Sequence, residues 1–244
     1  MGNKLYIGLI QRGSGTMGLQ TVLFDFDGTI ADTLPVSFQA FNYVFDKYDK
    51  RNLTDKEIMQ LFGPIEDVII RTHLHNQEKV EYAIEDFYDH YEKGHQREFE
   101  RLAEIQDMLD VMKELDMNLG IITGKSRRSL TLSLEILNLY DYFDVTISGD
   151  EVKAPKPNPE GIQKALNLLH NVPSDAVFIG DSQADMAAGD AANVITIAAQ
   201  WFSTIQSVNY EASPSHICKT IPDLIKLVKK YKYGNVVIKD GKSK

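Results

Sequence analysis

The chain has 244 residues, 43% of them hydrophobic, and its 26 Lys and Arg are outnumbered by 35 Asp and Glu, for a formal net charge of -9. That composition is enough for a full globular core, while the acidic balance argues against nonspecific nucleic-acid binding, which needs a basic footprint. No apolar stretch is long enough to span a membrane, the N-terminal region lacks a signal peptide's apolar block, and the single cysteine, Cys218, excludes an internal disulfide, so the expectation is a cytoplasmic protein with no membrane or nucleic-acid partner.

The first predicted element is KLYIGLIQRG, which reads, like GNVVIKDGK at the other end of the chain, as a strand; the two are expected either to pair with each other or extend the sheet edge, since unpaired β-prone tails would be a liability, or to be a ragged extension with Met17 near the conventional start. The next, TVLFDFDGTIADT from Thr21 to Thr33, is the most informative stretch. Val22, Leu23 and Phe24 read as a short buried strand that drives two carboxylates, Asp25 and Asp27, out of its end. A bare carboxylate there is costly unless a cation or donor compensates it. Gly28 permits a tight turn just beyond. Asp also caps turns and helices, so the pair needs partners elsewhere in the chain before it points to chemistry.

Nearly a hundred residues separate this strand from the next one, far more than a crossover helix requires. Leu34, Phe38, Phe41, Phe45 and Tyr48 keep helical spacing, Leu53–Leu61 and Ile65–Leu74 give two shorter helical pieces, and Tyr82–Tyr91 gives another. The aromatic stripe reads as the core of a small bundle.

Three further elements place polar residues at strand ends. NLGIIT ends at Thr123, followed by Gly124, Lys125 and Ser126, with Ser126 capping a helix through Leu130, Leu134 and Leu137. At such a turn a hydroxyl and free backbone N–H groups can hold a phosphate oxygen. In KAPKPNPE the prolines keep the chain extended to about Asn158; Lys153 and Lys156 are rival cations there, and the Lys-Pro pairing favours Lys156. AVFIGDSQAD sets Asp181 at the end of a third apolar run and Asp185 in the first turn of a helix from about Gln183, where its carboxylate also suits the helix dipole. The late SHIC segment reads as a short strand that buries Cys218.

Strands alternating with helices imply a parallel sheet with right-handed crossovers, and ligands in such sheets bind beyond the carboxyl ends of the strands. The fold class is therefore α/β, a Rossmann-like doubly wound parallel sheet carrying an inserted helical unit. Asp25, Asp27 and Asp181 gathered there would repel one another unless a cation lies between them, and an all-oxygen donor set suits Mg2+. A magnesium ion, a lysine, a threonine hydroxyl and helix-terminal N–H groups describe a receptor for a phosphoryl group. Asp25 is then the nucleophile, forming an aspartyl-phosphate, and Asp27 the general acid and base.

DFDGT, IIT, KPNP and GDSQAD, in this order, resemble the four motifs of the haloacid dehalogenase superfamily, and DFDGTIADT resembles its phosphoglycolate phosphatase and pyrophosphatase branch. The resemblance runs from about Thr21 to about Lys230. It implies catalytic roles for Asp25, Asp27, Thr123 and Lys156, with phosphate or substrate contacts at Gly28, Thr29, Gly124 and Lys125. It implies Mg2+ on Asp25, Asp181 and the Asp27 carbonyl, with Asp185 orienting Lys156 or a metal-bound water. Asp27 argues against dehalogenation, which does not need it.

The implied organisation is an N-terminal extension at 1–20, a catalytic core at 21–34 and 98–230, a helical cap at 35–97 with joints near Thr33–Val36 and Glu92–Phe99, and a C-terminal extension at 231–244. The cap resembles a closing lid, and Gly63-Pro64 resembles a cap loop of that branch. Arg71, His73, His75 and Arg97 are its candidate substrate cations. FERLAEIQDML departs from the Pro-rich, Gly-containing segment that relatives carry there, Gly124 stands where relatives often have Asn, and AAQWF lacks a usual glycine, with Trp201 and Phe202 expected at the pocket rim. The expected activity is magnesium-dependent hydrolysis of a small phosphorylated metabolite, phosphoglycolate-like or pyrophosphate, by a monomer or homodimer. The alternatives are a beta-phosphoglucomutase-like isomerase or a binding protein of the same fold without turnover.

Overall fold

The computed structural model describes residues 18–96, 99–204, 207 and 210–234. The N-terminal β-prone tail, the C-terminal one beyond Gly234, and Arg97 lie outside the described residues. The first described residues run beside the C-terminal helix: the Leu19 N–H donates to the Tyr231 carbonyl at 3.3 Å.

The sheet is built from β1 (Thr21–Phe24), β2 (Asn118–Ile122), β3 (Val145–Ile147), β4 (Ala176–Gly180), β5 (Ile195–Ala199) and β6 (His216–Cys218). Its order is β3-β2-β1-β4-β5-β6, with every pairing parallel. The central strands read as continuous apolar runs because both faces are covered: Val22 and Phe24 enter one hydrophobic cluster and Leu23 the other. On β4, Val177 and Ile179 face the first cluster and Phe178 the second. Cys218 is buried at the end of β6. The helices of this layer are α5 (Leu102–Glu114), α6 (Arg127–Ile136), α7 (Glu160–Leu168), α8 (Gln183–Ala191) and α9 (Ile221–Tyr233).

The chain moves outward from β1 in opposite directions, to β2 and β3 on one side and to β4, β5 and β6 on the other. A crevice opens at such a reversal, beyond the strand ends. Asp25 leaves β1 there and Asp181 leaves the adjacent β4; Phe24 is in register with Ile179.

Between β1 and α5 lie the inserted α-helices, α1 (Leu34–Asp49), α2 (Asp55–Met59), α3 (Glu66–His73) and α4 (Val80–Gly94). Pro35 stands in the first turn of α1, where its missing N–H costs nothing, and the helix stops at Lys50 in a left-handed conformation (φ 56°). Thr54 caps α2 through a reciprocal pair with Glu57. The aromatic stripe of α1 packs on α4, with the Phe41 and Phe87 rings 4.6 Å apart. Phe38, Phe41, Phe45, Phe87 and Tyr91 share the main hydrophobic cluster.

Candidate active site

Two neighbouring strand ends set the acidic centre. Asp25 follows β1, with its N–H donating to the Ile179 carbonyl at 2.8 Å, and Asp181 follows β4. Asp185 stands in the first turn of α8; its backbone N–H is held by the capping hydroxyl of Ser182, and its carboxylate accepts the Ser182 N–H at 2.9 Å. One carboxylate oxygen from each of Asp25, Asp181 and Asp185 lies within 4.8 Å of the others, and all three residues are buried.

Lys156 reaches this centre from the proline-rich loop before α7. Its Nζ donates to Asp25 at 2.6 Å, to Asp185 at 2.5 Å and to the Ile122 carbonyl at 3.2 Å. Lys153, its rival in sequence, is exposed. Burial pushes the Asp25 carboxyl up to about 7; Lys156 pulls it down, and Asp185 and Asp27 add to the rise. Burial alone would lower the Lys156 ammonium, but Asp185 and Asp25 raise it above the ordinary lysine range.

Gly28 closes the turn after Asp27 with φ +77°, and a Cβ on it would lie 2.4 Å from Asp181 Oδ2. Only glycine allows that approach. The cluster fits a hard divalent cation on its donor set: three buried carboxylates converge, and the backbone at Gly28 crowds one of them into place. The Asp27 carboxylate lies outside the three-carboxylate group. It accepts hydrogen bonds from the Thr33 hydroxyl and from Lys125 Nζ, the latter at 3.1 Å.

The turn after β2 is more occupied than its sequence suggests. The Thr123 N–H donates to Ile147, the Lys125 N–H to the Thr123 hydroxyl at 3.2 Å, and the Ser126 N–H to Glu66 at 2.8 Å. Three of the turn's N–H groups thus already have acceptors inside the protein, which leaves the Thr123 hydroxyl and the neighbourhood of Gly124 facing the cavity. Lys125 is buried as well. Its Nζ sits 3.8 Å from Glu66 and 4.6 Å over the Tyr91 ring in addition to its bond with Asp27. Burial would lower its ammonium, yet Asp27, Tyr91 and Glu66 raise it.

These groups border a cavity of about 380 Å³, lined by Asp25, Asp27, Thr123, Gly124, Lys125 and Lys156 at one end and by side chains of the inserted helices at the other. Gly28 and Thr29 do not line it. Thr29 is fully buried, and its carbonyl accepts the Trp201 indole N–H at 3.0 Å. Trp201 and Phe202, expected at the pocket rim, are instead buried in the main hydrophobic cluster, because a fused ring with a satisfied N–H is best placed out of water. Arg71, His73 and His75 are exposed and do not line the cavity; Arg71 pairs with Glu81 at 2.9 Å. Glu66 is the residue that sequence reasoning missed. An acidic pair directly after Gly63-Pro64-Ile65 was its only signal, and its partner Ser126 is sixty residues away.

The model of the family described as haloacid dehalogenase-like hydrolase matches residues 22–199. The chain belongs to this family. As a haloacid dehalogenase-like hydrolase it is similar to the pyrophosphatase PpaX of Oceanobacillus iheyensis, 29% identical over 214 residues that cover 87% of this chain and 98% of the relative. PpaX of Bacillus mycoides is 26% identical over the same share of each chain. Among solved structures, a predicted phosphoglycolate phosphatase from Haemophilus somnus superposes with a TM-score of 0.75 at 18% identity, over 87% of this chain and 99% of that one. CbbY from Rhodobacter sphaeroides in complex with phosphate gives 0.69 at 22%, over 84% and 96%. These structures share the fold. The expectation of a hydrolase of this superfamily agrees with the family match, and that of phosphatase chemistry with the pyrophosphatase relatives. Among the described residues, no helix of this hydrolase is long and apolar enough to cross a membrane.

Proposed function

We propose that this hydrolase is a magnesium-dependent phosphatase that removes phosphate from a small phosphorylated metabolite through an aspartyl-phosphate on Asp25. The observation that carries the reading is the Lys156 ammonium held between Asp25 and Asp185 at 2.6 and 2.5 Å, beside three buried carboxylates that converge within 4.8 Å. Such a centre suits an incoming trianionic transition state better than it suits a resting protein, since the carboxylates need a cation and the lysine needs an anion. The names of the relatives, pyrophosphatase and phosphoglycolate phosphatase, support phosphoryl chemistry.

In this reading Asp25 attacks phosphorus as the ester P–O bond breaks, and Asp27 gives its proton to the departing oxygen. Water then attacks the aspartyl-phosphate, Asp27 takes the water's proton, and Asp25 is regenerated with release of phosphate. Lys156 and the Thr123 hydroxyl hold the phosphoryl oxygens near Gly124. Lys125, bonded to Asp27, steadies the acid and base more directly than it touches phosphate. Asp25, Asp181, Asp185 and the Asp27 carbonyl would hold Mg2+, which when bound withdraws negative charge from the phosphoryl oxygens. The inserted helices, residues 35–97, act as a cap that excludes water while the substrate is bound.

The test is release of inorganic phosphate, with and without Mg2+, from phosphoglycolate, pyrophosphate, hexose phosphates and nucleotides. The expected result is release from at least one compound that requires Mg2+ and disappears in Asp25→Asn. Turnover that survives Asp25→Asn would remove the covalent mechanism, and no release from any phosphate ester would remove the phosphatase.

A further inference from the structure

The cavity has two chemically different ends. The strand-end side carries the carboxylates and both lysines that line the space. The side built by the inserted helices and the segment leading into them presents Leu34, Phe41, Met59, Phe62, Pro64 and Ile69, with a single hydroxyl, that of Ser37, among them. Among the described lining residues Lys125 and Lys156 are the only cations, and both already have carboxylate partners at the reacting end. The charged group that the helices contribute is an acid, Glu66, which is buried and fixed by the Ser126 N–H at 2.8 Å.

This arrangement bears on the group that leaves with the ester oxygen. A second phosphate, or the carboxylate of a glycolate, carries charge that must be met by a cation or by water when the site closes. The wall of these helices offers no cation, since its one charged group, Glu66, is an acid already held by the Ser126 N–H and lying 3.8 Å from Lys125 Nζ. An uncharged alkyl or aryl group meets side chains that gain from covering it. Phe41 shows the difference between expectation and structure: it belongs to the aromatic stripe that holds α1 on α4, and the same ring also faces the cavity.

Resting on the phosphatase reading above, we infer that the preferred substrate is a phosphate monoester of an uncharged, largely apolar alcohol, and that pyrophosphate and phosphoglycolate are poor substrates. The volume of about 380 Å³ is at the small end of ligand sites, so the alcohol is a short chain or a single ring. The same wall disfavours a sugar bisphosphate, whose second phosphate would lack a cation. Hydrolysis breaks the P–O bond to the alcohol, the alcohol oxygen leaves with the proton from Asp27, and water supplies the atoms that complete inorganic phosphate.

The experiment compares kcat/KM with Mg2+ for methyl, ethyl and butyl phosphate, phenyl phosphate, phosphoglycolate and pyrophosphate, and measures binding of butyl phosphate and phosphoglycolate to Asp25→Asn by calorimetry. Each added methylene should raise kcat/KM about fourfold, the ratio expected for burying one such group. Butyl and phenyl phosphate should exceed both anionic compounds at least tenfold, and the inactive variant should bind butyl phosphate more tightly than phosphoglycolate. Met59→Lys, at a partly exposed position on the apolar wall, should narrow or reverse the preference by giving the anionic group a cation. Faster turnover of phosphoglycolate or pyrophosphate by the native chain would overturn the inference and leave the phosphatase standing. No release from any compound would remove the phosphatase reading and this inference with it.

Discussion

Stripped of divalent cations, the native protein should lose stability as pH rises from about 4 to about 7, and Asp25→Asn should escape that loss. Burial lifts the Asp25 carboxyl from 3.8 to about 7. Through that window the unfolded chain has released this proton while the folded one retains it, so unfolding is favoured increasingly with pH; below it both states are protonated, and above it the penalty is constant. Lys156 stays charged in both states throughout and adds no slope. A shift of about three units, at roughly 1.4 kcal/mol each, makes the effect on the order of 4 kcal/mol. Asn at position 25 has no proton to lose. The assay is urea unfolding in EDTA from pH 4.5 to 7.5, followed by the fluorescence of the single, buried Trp201. The difference in unfolding free energy between variant and native chain should grow with pH by several kcal/mol. Parallel profiles would refute the desolvation of Asp25 in the metal-free protein. Mg2+ at 100 times its dissociation constant should return about 2.7 kcal/mol to the native chain at pH 7.5, and less to Asp25→Asn.

Gly28→Ala should cost about 1–2 kcal/mol for the left-handed backbone and lower divalent-cation affinity at least tenfold in a calorimetric titration, because its Cβ would lie 2.4 Å from Asp181 Oδ2. Glu66→Ala should destabilise by about 2–3 kcal/mol in urea titrations, since it strands the buried Ser126 N–H, whereas Glu66→Gln keeps an acceptor and should cost less. Cys218, whose thiol burial pushes up to about 11, should react with a disulfide reagent at pH 8 roughly 100-fold more slowly in the native protein than in urea.

The carboxylates at Asp25 and Asp181 were legible in the sequence because each ends an apolar run short enough to be a buried strand, and a charge at that point has few bland explanations. The same local chemistry marks Ser126, whose hydroxyl accepts the Ser129 N–H, and the helical stripe from Leu34 to Tyr48. Periodicity and capping depend on neighbours within a few residues, so they can be read along the chain. Contacts between elements cannot. That Lys125 bonds Asp27, 98 residues earlier, depends on β2 lying beside β1, and on α3 delivering Glu66 to the same lysine. Trp201 and Phe202 look like rim residues in isolation; they are core because the segment after β5 folds back under the turn at Thr29. Charge alone marks the cations of the inserted helices, and the packing of those helices leaves Arg71, His73 and His75 away from the cavity while bringing six apolar residues to it. The sequence by itself therefore determined the strand-end carboxylates and the sheet that carries them, since both are local patterns. Only the tertiary structure decided what lines the far end of the cavity, because that wall is assembled from segments whose relative placement no local pattern specifies.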